Sequence, residues 1–156
     1  MTAADFLKAL TGQWEGEVST WFEPGVLADV SRVQGIISPL LDGLMLKHEY
    51  QGEIQSKPRS GREWIVFNKV TQNFETAWVD SFHMNYAIMH SSGPQLENGF
   101  SVFGHYDVGE GHPRWGWRTE FRLLQPDELT ILAFNVSPEG MEDLAVETKY
   151  LRRRGS

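Results

Sequence analysis

The chain contains no cysteine in its 156 residues. That excludes a disulfide framework, a thiolate nucleophile and any zinc or iron–sulfur site built on cysteine. Basic charge is also scarce: 14 Lys and Arg against 21 Asp and Glu leave a formal net charge of −7. Such a surface repels a phosphate backbone, so no nucleic-acid partner is expected. The one dense basic run, Arg152-Arg153-Arg154, reads as a solvated tail after the last strand. No window approaches the roughly 18 uninterrupted apolar residues of a membrane span, and Met-Thr-Ala-Ala-Asp lacks the basic and apolar regions of a secretory leader. The expectation is a cytoplasmic protein with no membrane partner.

What is present is aromatic and turn-rich. A hydrophobic content of 40%, with six Trp and nine Phe, is enough for one core, and 15 Gly punctuate the strands that would surround it. A single domain over residues 1–156 is expected. Phe6, Leu7 and Leu10 have helical spacing, and Gly12 is placed to end a short N-terminal helix. From Trp14 onward the period becomes two, with Trp14, Val18, Thr20 and Phe22 sharing one face. Alternating segments then recur at about 13–22, 28–38, 43–54, 62–70, 74–83, 85–92, 98–107, 115–125, 128–137 and 143–152. Turn residues separate them, among them Glu23-Pro24-Gly25, Asp42-Gly43, Lys57-Pro58-Arg59-Ser60-Gly61, Ser92-Gly93-Pro94 and Ser137-Pro138-Glu139-Gly140. No second helical pattern of useful length appears, so parallel βαβ units are excluded and neighbouring strands should pair as a meander. Ten strands in one open sheet would leave two edges, and closure removes them. The fold class is therefore all-β: a single antiparallel up-and-down barrel of about ten strands with a short N-terminal helix, able to hold a small ligand.

Gly12-Gln13-Trp14 after a short helix, followed by one meander, resembles the start of a calycin, or lipocalin-like, barrel. Trp14-Glu15-Gly16, Leu46-Lys47-His48-Glu49-Tyr50, Trp78-Val79-Asp80-Ser81-Phe82-His83 and Trp115-Gly116-Trp117-Arg118-Thr119-Glu120 are more specific. In this order and spacing they resemble a bacterial family of uncharacterised proteins, a domain of unknown function, with that fold. The resemblance spans nearly the whole chain and implies a fold without implying an activity. Fatty-acid-binding proteins place a helix pair between their first two strands, and Glu23 to Leu27 leaves no room for one. Nitrobindin-like barrels hold haem through a late histidine, whereas the last histidine here is His112, so no haem or other cofactor is expected.

Inside a barrel, polar groups on an otherwise apolar face are the informative ones. The apolar parity of 43–54 carries Leu44, Leu46, His48 and Tyr50, and that of 74–83 carries Phe74, Trp78, Asp80 and Phe82. By the same rule Phe100, Val102 and Tyr106 point inward, as do Trp117, Thr119, Phe121 and Leu123. In this phase the ligand-binding candidates are His48, Tyr50, Trp78, Asp80, Tyr106, Trp117 and Thr119. Asp80, between two aromatic residues, should have a raised pKa unless a cation or several donors compensate, which would suit it to acid–base work. A slip of one residue exchanges the faces and would bring in Glu49, His83, His105, Arg118 and Glu120, a set suited to an anion.

The histidines at 48, 83, 90, 105 and 112 have no diagnostic zinc spacing, so no metal site is expected. Ser81 lies near Asp80 and His83, but strict alternation sends Ser81 and His83 to the face opposite Asp80, and no Gly-x-Ser-x-Gly elbow exists. Three readings follow. The first is a barrel that binds a small hydrophobic or amphipathic molecule. The second is a lipocalin-like enzyme using Asp80 or His48 as acid or base. The third is a solid barrel acting as a homodimeric interaction module through an exposed aromatic such as Trp21 or Trp115.

Overall fold

In the computed structural model, which describes residues 1–154, Thr2 starts the helix α1 (Ala3–Leu10) by accepting the Asp5 amide on its hydroxyl at 3.1 Å. Phe6, Leu7 and Leu10 form its buried face. The chain leaves the helix through Gly12, whose φ of +145° lies where glycine is favoured. Ten strands follow: β1 (Gly12–Glu23), β2 (Val26–Leu40), β3 (Met45–Ile54), β4 (Lys57–Asn68), β5 (Asn73–Asp80), β6 (Met84–Leu96), β7 (Gly99–Tyr106), β8 (Trp115–Gln125), β9 (Glu128–Val136) and β10 (Glu142–Arg152). Each pairs antiparallel with the next, and β10 returns to β1 with Trp14 opposite Arg152 and Thr20 opposite Val146. The sheet is a closed barrel, as the edge argument requires.

The helix closes one end. Phe6 packs edge-on against Phe74 and Phe100, with ring centroids 6.1 and 6.0 Å apart. Phe100 in turn stacks between Phe74 and Phe121 at 4.6 and 4.7 Å. The Trp14 indole N–H donates to the Leu10 carbonyl at 2.9 Å, joining the plug to the first strand. Arg152 completes the joint: its guanidinium lies 4.3 Å over the Trp14 ring and donates to the carbonyls of Ala9 and Thr11. The basic run is thus a solvated tail only in Arg153 and Arg154, which are exposed beyond the end of β10. Arg152 instead ties the last strand to the helix, and Arg154 pairs with Asp127 at the surface. Gly155 and Ser156, the last two positions of the expected 1–156 domain, lie outside the described residues.

Several local expectations are corrected. Lys57 to Gly61 is not a turn; the turn is Gln55-Ser56, both with positive φ, and β4 already runs from Lys57. Ser92-Gly93-Pro94 lies inside β6. Both prolines are tolerated for the same reason. Pro58 precedes the first β4–β5 pair, Gly61 with Asp80, and Pro94 falls where β6–β7 pairing breaks between Ser92 and Gln95. The inward face expected for Leu44 is also wrong, because Leu44 closes a 3₁₀ turn at Leu41–Gly43; Phe22 follows register shifts at Trp21 and sits half-exposed at the rim of the barrel, stacked on Phe82. No helix among the described residues is long and apolar enough to cross a membrane.

Candidate functional site

The phenylalanine plug fills the helix end of the barrel, and polar side chains concentrate towards the other end. Alternation along β3 brings His48 and Tyr50 inward, and β4 adds Arg59 and Glu63. Two glycines make that crowding possible. A Cβ on Gly35 would strike the Tyr150 hydroxyl and touch His48 Nε2, and one on Gly61 would strike the Tyr50 ring and hydroxyl. His48 Nδ1 lies 3.5 Å from Glu63 Oε1 and Nε2 lies 3.0 Å from the Tyr150 hydroxyl; in the tautomer with the proton on Nδ1, Nε2 accepts the Tyr150 hydroxyl proton. Burial pushes the Tyr150 phenol well up, so it stays protonated.

Asp80 ends β5 and is enclosed by donors. Its Oδ1 accepts the amides of Phe82 at 2.7 Å and His83 at 2.8 Å, and its Oδ2 accepts the Tyr50 hydroxyl and Arg59 Nε at 3.2 Å. Burial alone would raise the Asp80 carboxyl, but the Arg59 guanidinium, the Tyr50 hydroxyl and the two amides outweigh it and hold the group below its ordinary value. The raised pKa expected for Asp80 is therefore corrected. The cation and donors that would cancel it are all present, and the carboxylate is an ionised anchor. Tyr50 moves the opposite way, raised well above its ordinary value by burial and by the charge of Asp80. The Trp78 indole donates to the same hydroxyl at 2.9 Å.

Trp78 also stacks on Trp117 at 5.6 Å, 16° from parallel. This pair borders two spaces. On one side is an inner cavity with about 610 Å³ between its lining atoms, counting its opening, of which about 60 Å³ accepts the centre of a water-sized molecule. Its wall is mostly Val18, Val33, Ile131, Ala133 and Val146, with Thr119, Thr148, His48, Glu63 and Arg59 as polar points. On the other side a larger aromatic mouth, with about 1090 Å³ between its lining atoms by the same measure, is lined by Trp21, Phe82, His83, Tyr106, Trp115 and Leu144, among others. An apolar space with a few fixed polar groups is the usual construction of a small-molecule site.

A family model, described as "Protein of unknown function (DUF1579)", matches residues 2–152. The chain belongs to the DUF1579 family. No curated protein matches its sequence. Among solved structures, an S-type phycobiliprotein lyase from Guillardia theta is similar at 13% identity and a TM-score of 0.65, covering 100% of this chain and 95% of that one. This likeness shows the lipocalin-like barrel fold. A protein of unknown function from the DUF3598 family of Nostoc punctiforme aligns at 7% identity over 98% of this chain and 100% of that one, with a TM-score of 0.28 that carries no argument.

In the DUF1579 barrel the first of the two expected phases is the one that lines the interior. His48, Tyr50, Trp78, Trp117 and Thr119 border the inner cavity, Asp80 lies behind Arg59 and Tyr50, and Tyr106 stands in the mouth with its hydroxyl donating to Asn135. The alternative set stays outside with one exception. Glu49 pairs with Lys47 and Arg62, His105 is exposed, and Arg118 lies over the Phe134 ring and pairs with Glu120 and Glu142. Glu120 is buried on the outer wall, under Arg118 and Arg122. The exception is His83. The strand ends at Asp80 after a register shift, so the next residues turn back and bring the His83 ring beside Trp78 and Trp117, with Nδ1 3.8 Å from Asp80 Oδ1. Burial, then the Arg59 charge, lowers its pKa to about 4 against the opposing pull of Asp80, and Nδ1 has no hydrogen-bond partner. Trp21 and Trp115 are half-buried at the mouth rather than exposed on the wall.

Sequence reasoning missed Arg59, Glu63 and Tyr150. Glu63 shares the parity of Ile65 and Phe67, and Tyr150 that of Val146 and Thr148, so alternation could have found both. Arg59 carried no such signal, since it follows a proline in a stretch with turn composition.

Proposed function

We propose that this barrel binds a small, partly apolar molecule in the cavity behind the Trp78–Trp117 pair, with the aromatic mouth as its entrance. The observation that carries the reading is the combination of an apolar chamber and buried polar groups, Arg59 and Glu63 among them, on one wall of it. The phycobiliprotein lyase likeness supports a ligand-binding use of the fold and makes a bilin one compound to try. The inner cavity would take only part of so large a molecule, and the mouth would hold the rest.

The test is a thermal-shift screen of small partly apolar compounds, with native mass spectrometry of protein purified from its own host. Stabilising compounds are expected, and Ala133→Phe, which fills the chamber, should abolish their effect. If no compound stabilises the protein and none copurifies, the reading is wrong. A second reading, an acid–base enzyme, is favoured by the Glu63–His48–Tyr150 chain at the cavity wall. It passes the acid–base role from Asp80, which is held ionised, to His48. It predicts that His48→Gln removes turnover while ligand binding persists.

A further inference from the structure

Among the described residues Arg59 is the one Lys or Arg that lines the inner cavity, and it is 8% exposed. A guanidinium carries five N–H donors in a planar fork. Among the described residues its one protein acceptor is Asp80 Oδ2, met edge-on by Nε–H, so the four donors on the two Nη atoms have no protein acceptor. Its Cζ lies 5.6 Å from the centroid of the Tyr50 ring, a cation–π contact that leaves the Nη donors without an acceptor. Asp80 does not consume the positive charge alone, because three further donors share that carboxylate. The other acids near the cavity are engaged or remote from burial: Glu63 is turned towards His48, and Glu53 is exposed at the edge. Among the described residues the fully enclosed side-chain N and O atoms without a partner are Thr20 Oγ1 and His83 Nδ1, so the Nη donors of Arg59 meet accessible space, and a carboxylate arriving there matches their fork.

We propose that Arg59 is the head-group anchor of the cavity and that the ligand is a small apolar monocarboxylic acid. Its carboxylate accepts two N–H groups from the Arg59 fork, and its hydrocarbon part lies against Val18, Val33, Ile131 and Val146. This rests on the cavity reading above and adds the sign and class of the ligand. The volume of the chamber limits the hydrocarbon part to a short chain.

The test uses three probes of one length, hexanoate, 1-hexanol and hexylamine, titrated at neutral pH into the full chain by calorimetry. Hexanoate should bind at least about tenfold more tightly than hexanol, the increment of a charge-assisted hydrogen bond. Arg59→Met should erase that preference while hexanol binding persists. Arg59→Lys keeps the charge beside Asp80 and serves if the Met variant does not fold; it should lose most of the preference because an ammonium cannot offer the fork. Equal binding of all three probes would overturn the anchor and leave the cavity reading standing. Tightest binding of hexylamine would overturn it in favour of Glu63. Failure of all three to bind would overturn both.

Discussion

At the scale of single residues, the sharpest constraint is the enclosure of Asp80. Asp80→Asn removes the negative charge opposite Arg59 and leaves a buried cation unpaired, which costs about 3 kcal/mol or more. Urea unfolding should show that loss directly. Gly35 is constrained sterically. Gly35→Ala drives a methyl into Tyr150 and His48, and overpacking of this kind costs about 1–3 kcal/mol, read by the same measurement. His83 gives a pH signature. Its pKa falls from 6.5 in the unfolded chain to about 4 when folded, so between those values the unfolded state binds the extra proton and stability rises with pH. Acidification from about pH 6.5 to 4 should therefore remove roughly 3 kcal/mol, the linkage equivalent of that shift. Asp80 acts later. Its folded pKa is lowered, so its contribution is present above the unfolded value near 3.9 and is lost only as pH falls through the folded one. His83→Phe should flatten the first slope and leave the second, as comparison of unfolding midpoints at pH 7 and 4.5 would show.

Elements differ in how far their roles follow from their own residues. The helix is legible because Phe6, Leu7 and Leu10 form a face and Gly12 follows it, and the face finds Phe74 and Phe100. Leu10 is fully buried, so Leu10→Ala should cost about 2–5 kcal/mol, and dye binding by partly loosened protein should rise as the plug detaches. Strands β3, β7 and β8 are legible for a similar reason. Their inward sides are nearly all apolar, and period two does the rest. Legibility fails where alternation is interrupted. Register shifts at Trp21 and before Asp80 end strict alternation ahead of Phe22 and His83 and bring the His83 ring to the inner side, and such shifts leave no mark in composition. The Gln55-Ser56 turn adopts positive φ at two residues that do not usually signal it, so the start of β4 and its Arg59 were read as loop.

Across the whole molecule, one end is solid and the other holds the cavity and mouth. Trp78 and Trp117 belong to both spaces, so ligand entry should change their fluorescence. Mass action sets the stability gain. A ligand at a hundred times its dissociation constant adds about 2.7 kcal/mol, which for a chain of this size raises the melting temperature by roughly 5–10 °C. Hexanoate should produce that shift in the full chain, and Arg59→Met should remove most of it.

The sequence by itself determined the class of architecture, the number of strands and the helix, and left two phases open for the face that lines the barrel. These follow from local periodicity and from the cost of an open sheet edge, both of which act through near neighbours. It also excluded thiol chemistry outright. The tertiary structure alone decided the charge inside the cavity. Asp80 is ionised because Arg59, Tyr50 and two amides converge on it from three separate stretches of chain, and Arg59 is available because its position along β4 points it across the barrel. Convergence of that kind depends on register and on bulges, which are properties of paired strands and of no single one.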